Sequence, residues 1–263
     1  MKNDKFYFGN FILISIGVFF FIPFLILLIN SFGTLAEYPN LYLLKFNSDS
    51  WKYVFKSELM SDIIQTLNVG ILSLILLTLI SYPAAYIMVR GSFKGKKIID
   101  AIFMLPIMIS PIGIATGVYQ AFLKFGISDT LVGVVLGVSF PAYPYVYRAI
   151  KIGIESLDYA WEEQISLLGI SWINSFILII PRMIIPSILG GWSIGFLVAI
   201  SQYAVVLILG GGNVMTLLVR MMPYLNGGTE SIACVYGIIF MCFSMGILWY
   251  MDYFLKKYYH GEI

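Results

Sequence analysis

"WEEQISLLGISWINSFILIIP", residues 161–181, places two adjacent carboxylates, Glu162 and Glu163, in a chain that is 60% hydrophobic and 11% charged. A single glycine, Gly169, separates two short runs with helical periodicity. Asp158 stands just ahead of the first run, where an aspartate accepts from the free N–H groups of a helix's first turn. Ala160, Trp161, Ile165 and Leu168 then fall on one side of that helix, with Glu162, Glu163 and Ser166 on the other. Gly169 suits the left-handed residue that ends a helix. Ser171 is placed to cap a second helix carrying Ile173, Phe176, Ile177 and Ile180, which is expected to stop before Pro181. Residues 157–181 therefore read as helix–Gly–helix, an elbow that lies along a membrane surface rather than crossing it.

The rest of the chain explains why an elbow is needed. Ordinary soluble domains carry about 25% charged residues, whereas this chain of 263 residues has 11% and a mean hydropathy of +0.90. A spanning helix takes about 20 apolar residues. Charge-free runs of that kind are expected at 8–30, 63–89, 101–122, 130–147, 183–209 and 231–251, giving an all-α polytopic membrane protein with six transmembrane helices. The whole chain, 1–263, reads as one membrane domain, with core spans over 63–251. The first span follows Lys2 and Lys5 but is too long for a signal-peptide core and has no Ala-x-Ala-like cleavage site, so it is expected to be a retained anchor. Cys234 and Cys242 are eight residues apart in one apolar run, a separation of about 12 Å along a helix, which rules out a mutual disulfide.

Charge sets the expected orientation. With both ends of the chain in the cytoplasm, Lys45, Lys52, Lys56, Lys124 and Arg220 fall outside and the other eleven of the 16 basic residues inside, as the positive-inside rule requires. The elbow, between spans four and five, is then cytoplasmic. The turn "RGSFKGKK", residues 90–97, is a basic cytoplasmic loop for topology and lipid contact; it is not a phosphate-binding loop, because Lys96 is followed by Lys97. Trp51, Tyr53 and Phe55 suit the interface within the external stretch 31–62. A net charge of +2 gives no reason to expect nucleic acid. An anionic face at a cytoplasmic surface is poorly matched to anionic lipid and better matched to a basic protein.

An intramembrane enzyme fails on inventory. The one histidine, His260, sits in the C-terminal tail, so no Ser–His dyad or multi-histidine metal site can form within the spans. Asp100, Asp129 and Asp252 lie at span ends, away from the midplane. The alternative reading is a secondary transporter or channel subunit without an ATPase partner; it would want internal ionisable groups for coupling or selectivity, and their absence from the spans, with the elbow, counts against it.

The run "LDYAWEEQISLLGIS", residues 157–171, resembles the cytoplasmic EAA loop of binding-protein-dependent ABC importer permeases. Glu163 falls on that motif's Glu, Gln164 and Ile165 on its two Ala positions, Gly169 on its Gly, and "IIP", residues 179–181, on its end. Neither Ala is kept, and the Gly-to-Pro spacing is one residue shorter than usual. "SYPAAYIMVRG" (81–91), "FMLPIMISPIGIATGVYQAF" (103–122) and "ISQYAVVLILGGGNVMTLLVRMMPYL" (200–225) are similar to other parts of these permeases, in the branch that handles spermidine/putrescine, iron(III), thiamine and related solutes. The resemblance implies a type I importer permease fold and a chain with no catalytic site or cofactor of its own. It implies a second permease, an external solute-binding protein, membrane lipid, and a pair of cytoplasmic ABC ATPases that bind the ATP and Mg. It implies that Glu162, Glu163, Ser166, Gly169 and Ser171 form the ATPase-docking elbow, with Trp161 and Leu168 held against the chain's own spans.

The polar residues within the spans that could line a pathway are Ser110, Thr116, Tyr119, Tyr143, Ser201, Gln202 and Tyr203. At 201–204, where spermidine/putrescine permeases often carry an acid, this chain has Gln202 and Tyr203, which argues against a polyamine. No charged residue occurs between Arg182 and Arg220.

Overall fold

The computed structural model describes residues 2–34, 45–227 and 229–259. It is helical apart from one two-residue antiparallel pair, Gly33–Thr34 with Lys45–Phe46. In chain order the helices are α1 (Lys2–Phe32), α2 (Asp49–Lys56), α3 (Leu59–Arg90), α4 (Lys96–Met104), α5 (Pro111–Lys124), α6 (Leu131–Glu155), α7 (Tyr159–Leu167), α8 (Trp172–Asn174), α9 (Ile180–Met183), α10 (Ile185–Ile200), α11 (Tyr203–Gly210), α12 (Leu217–Asn226) and α13 (Glu230–Tyr259).

Among the described residues three helices are long and apolar enough to cross a membrane, Ser15–Phe32, Leu59–Arg90 and Glu230–Lys257, and there are five spans if each of two bent helix pairs is one span. The expected six is not reached. The fourth expected span, 130–147, lies in α6, where Pro141, Tyr143, Pro144, Tyr145 and Tyr147 dilute the apolar run. One face of that helix is enclosed by protein: Val134, Val138, Ala142, Val146, Ile150 and Ile154, one every four residues, are each 0% exposed, while Val132, Phe140 and Ile152 on the other side are exposed.

Two other expected spans are broken. Within 101–122, Pro106 sits in a 3-10 turn (Leu105–Ile107), and the helix pair on either side is bent by 98°. Ser110, which precedes Pro111, is extended (φ −61°, ψ 127°), as a residue before proline is expected to be, and Pro111 then opens α5. Within 183–209 there is a 69° bend ahead of α10, whose first turn carries Pro186, and a second break where the Tyr203 N–H turns back to the Ser201 carbonyl.

The chain divides into two compact units, Met1–Ser61 with Arg220–Phe243, and Asp62–Val219 with Ser244–Ile263. In the first, Trp51 stacks between Phe32 and Phe55. Tyr53 meets Tyr224 hydroxyl to hydroxyl at 3.3 Å, Tyr224 stacks on Tyr236, and Arg220 pairs with Glu58 at 2.7 Å.

The second unit is built around α6. Thr130 caps its start, accepting from the Gly133 N–H at 3.2 Å. α10 lies against it through small residues: a Cβ at Gly191 would come within 2.8 Å of the Ala149 Cβ, and one at Gly153 within 2.6 Å of the Ser187 Cβ. This close backbone approach is how helices associate where lipid removes the hydrophobic drive. α3 joins them through Trp192 Nε1, which donates to Thr78 Oγ1 at 2.7 Å. At the other end of α3, Lys96 Nζ donates to the Val89 and Gly91 carbonyls, a cation at a helix C-terminus.

Candidate functional site

The elbow forms where the sequence places it. Asp158 is extended and its Oδ1 accepts from the Ala160 N–H at 3.1 Å, opening α7. α7 closes with Gly169 in the left-handed region (φ +76°). There the Gly169 N–H reaches the Ser166 carbonyl at 2.9 Å and the Ile170 N–H reaches the Ile165 carbonyl at 3.4 Å, the paired bonds of a Schellman ending. Ser171 Oγ accepts from the Asn174 N–H at 3.4 Å and starts α8.

The second helix does not stop before Pro181. It runs through a π turn, Ser175–Ile179, into α9 and ends at Met183. The π turn makes this possible: the Ile180 N–H bonds back to the Ser175 carbonyl, so Pro181 enters in the first turn of α9, where its missing N–H is tolerated. The Phe176 carbonyl then loses both regular donors, since Ile180 is engaged elsewhere and Pro181 has none. The Tyr82 hydroxyl of α3 donates to it instead, at 2.5 Å.

The face of α7 that turns inward is not the expected one. Ala160, Trp161 and Leu168 are exposed, Trp161 by 51% and Leu168 by 78%, and of that set Ile165 alone is buried. Glu162 turns inward, its side chain 14% exposed, and pairs with Arg90 of α3 at 2.6 Å (Nε to Oε1). Tyr86 donates its hydroxyl to the second oxygen, Oε2, at 2.8 Å, and in turn accepts from Trp172 Nε1 at 3.3 Å. Arg90 Nη2 also donates to the Leu157 carbonyl at 2.9 Å, and its guanidinium lies 5.7 Å from the centre of the Tyr159 ring. The reason is complementarity: the end of α3 presents a cation and a hydroxyl, which an acid satisfies and an indole or isobutyl group does not. Rings complete the contact, with Phe176 5.0 Å from Tyr86 and 4.8 Å from Tyr82, and stacked on Trp172 at 5.5 Å. A recess of about 530 Å³ remains between these groups, lined by Pro83, Arg90, Glu162 and Trp172 among others.

Glu163 and Ser166 are exposed, and the Ser166 hydroxyl donates to the Glu163 carbonyl at 2.9 Å. Leu167, 85% exposed, adjoins them, so the outer side of α7 combines one free carboxylate with two bare leucines. Sequence reasoning used Arg90 only as a topological charge and gave Tyr82, Tyr86 and Trp172 no part in the elbow. The available signal was Arg90 itself, a cation closing one apolar span, opposite an acid at the start of the elbow.

The pathway candidates fall on α5, α6, α11 and the two helix breaks. Ser110 and Ser201 are exposed at the two helix breaks, Gln202 and Tyr203 are half-buried beside Ser201, and Tyr119 is half-buried in α5. Thr116 is exposed and bonds back to the Ile112 and Gly113 carbonyls, and Ser201 likewise to Val198. Tyr143 stacks on Tyr147 and lines a recess of about 450 Å³ otherwise walled mostly by apolar side chains such as Leu76, Ile102, Ile109 and Phe140. Among the described residues no three His, Cys, Asp or Glu side chains come together as a metal site would need.

The family model described as "Binding-protein-dependent transport system inner membrane component" matches residues 81–259, which include the elbow and every helix from α4 to α13. The chain belongs to that family. Its members are subunits of transporters rather than enzymes in their own right. Over 156 residues the chain is 28% identical to a protein of Prototheca wickerhamii named as a probable sulfate transport system permease protein, cysT, covering 55% of this chain and 61% of that protein. It is 26% identical over 221 residues to the molybdenum transport system permease protein ModB of Haemophilus influenzae, covering 75% and 96%. Its fold is similar to that of a chain in the crystal structure of a bacterial ABC transporter involved in the import of the acidic polysaccharide alginate, with a TM-score of 0.70 at 17% identity over 95% of this chain and 96% of that one. The inner-membrane-component family is thus consistent with the type I importer permease fold expected from the sequence.

Proposed function

We propose that this chain is the membrane-spanning subunit of an ATP-driven importer, docking through residues 157–181 on a cytoplasmic ABC ATPase and contributing to the route of a small polar or charged solute. The observation that carries this reading is the outer side of the elbow. Glu163, Leu167 and Leu168 stand exposed on a helix whose two ends are set by Asp158 and Gly169, and exposed apolar groups beside a charge mark a protein contact. In this reading Glu163 meets a basic group of the ATPase, Ser166 supports it, Gly169 makes the bend, and Ser171 holds the second helix. A sheltered charge-assisted contact of this kind contributes about 1.5–3 kcal/mol.

Two permease chains then pair over two ATPases, which bind the ATP and Mg, and an external binding protein delivers the solute. Both ends of the chain lie in the cytoplasm, in keeping with the eleven-to-five division of basic residues, and the chain supplies no catalytic group of its own. Ser110, Thr116, Tyr119, Tyr143, Ser201, Gln202 and Tyr203 are the polar side chains available to the pathway. Hydroxyl and amide groups without a carboxylate suit a neutral or anionic solute better than a polycation, whose charge would need an acid within the membrane.

The test is Glu163→Lys. It is expected to abolish recovery of the ATPase with the tagged chain while the chain still inserts in the membrane, measured by quantitative co-purification. Recovery equal to that of the unaltered chain would overturn the docking role.

A further inference from the structure

We propose that Glu162 is a positioning residue that fastens the elbow to α3, so that force applied to the elbow moves α3 with it as one body. The proposal rests on the docking reading above and adds the route by which the elbow acts on the membrane helices.

Apart from the short turn 156–158 that joins it to α6, two connections lead out of the elbow. One is the chain itself, from α8 to α10. That path contains the π turn Ser175–Ile179, Pro181, a junction residue Ile184 outside helical geometry (φ −103°, ψ 12°), and a 69° bend. That path is bent rather than straight, so an axial push on α8 reaches α10 off its axis. The other connection is the contact with α3. Arg90 holds the start of the elbow at two points, the Glu162 carboxylate in the first turn of α7 at 2.6 Å and the carbonyl of Leu157, just ahead of the Asp158 cap, at 2.9 Å. Tyr86 links that carboxylate to Trp172 of the second helix, and Tyr82 bonds the carbonyl of Phe176. Both arms of the elbow are therefore bound to one face of α3 within three turns of its end.

The chemistry of that contact suits a rigid link. A carboxylate that receives a guanidinium and a phenol has each of its oxygens committed, and the pair is mostly withdrawn from water, with side chains 15% and 14% exposed. Charge-assisted bonds in such surroundings are short and directional. Glu162 and Glu163, though adjacent, thus divide the work: Glu163 faces the partner, and Glu162 passes the partner's motion to α3.

The experiment uses the complete transporter, the chain with its co-purifying ATPase, in lipid nanodiscs. Cys234 and Cys242 are replaced by serine, and spin labels are placed at Lys94→Cys, in the turn after α3, and Ile173→Cys, on the exposed side of the second elbow helix. The distance between labels is read without nucleotide and with ATP and vanadate. We expect one distance, the same in both states. In Glu162→Gln the distance, read in complexes that retain the ATPase, should shift between states, and the reciprocal pair Glu162→Arg with Arg90→Glu should restore a single distance. If Glu162→Gln fails to insert, Arg90→Lys loosens the same contact and reads the same quantity. A distance that shifts with nucleotide in the unaltered chain would overturn the proposal, as would one that stays fixed in the variants. Absence of any ATPase with the unaltered chain would sink the docking reading instead, and with it the task assigned to Glu162.

Discussion

Neighbouring residues on a helix point about 100° apart, and at Glu162 and Glu163 that rotation separates two roles. One acid is enclosed by Arg90 and Tyr86 and the other is left bare. The same economy appears at Tyr82. Pro181 and the π turn deprive the Phe176 carbonyl of its donors, and a single phenol on another helix replaces them. Tyr82→Phe keeps the ring that packs on Phe176 and removes only that donor. It is expected to destabilise the elbow by about 1–3 kcal/mol, the cost of a sheltered carbonyl left unpaired. Faster amide exchange at residues 175–183 than in the unaltered chain would show this; unchanged exchange there would mean that water satisfies the carbonyl equally well.

At the scale of the element, the elbow works because its corners are local chemistry. Asp158, Gly169 and Ser171 each act within five residues of themselves, and such signals are legible in sequence. Gly169→Val puts a β-branched residue at φ +76°, a conformation costing roughly 1–2 kcal/mol. It is expected to lower ATPase recovery without affecting the yield of inserted chain, as judged by the ratio of the two on one gel; an unchanged ratio would mean that the bend tolerates the side chain. What sequence could not supply is the direction in which α7 faces. That is decided by Arg90, 72 residues away, and an amphipathicity argument that counts apolar positions turns the helix the wrong way when its neighbour is polar. The two bent pairs escaped for a related reason. Pro106, Pro111 and Pro186 were visible, but in a membrane a proline can be absorbed as a slight kink or open into a full bend, and the difference lies in whether neighbours receive the freed carbonyls. The exposed leucines were missed because a bare apolar side chain makes sense only with a partner in place.

At the scale of the molecule, the second unit packs around one helix and holds the elbow on another. α6 is enclosed along one face, with α10 seated on it at Gly153 and Gly191, while the elbow is carried by the end of α3. Hydropathy finds the apolar chain and its surface loop; of the six crossings it expects, three to five are long and apolar enough among the described residues, and α6 is the one whose prolines and tyrosines dilute the apolar run. The proposed function places an external engine at that elbow. Whether such an engine binds is the central claim. The most direct measurement is a pull-down of the tagged chain from its native membranes in mild detergent, with mass spectrometry of what accompanies it. The account expects a nucleotide-binding ATPase in near-equal amount, held through residues 157–181, with a second permease chain beside it. A chain that purifies alone under several gentle conditions would contradict the account and leave the bare face of α7 to some other partner.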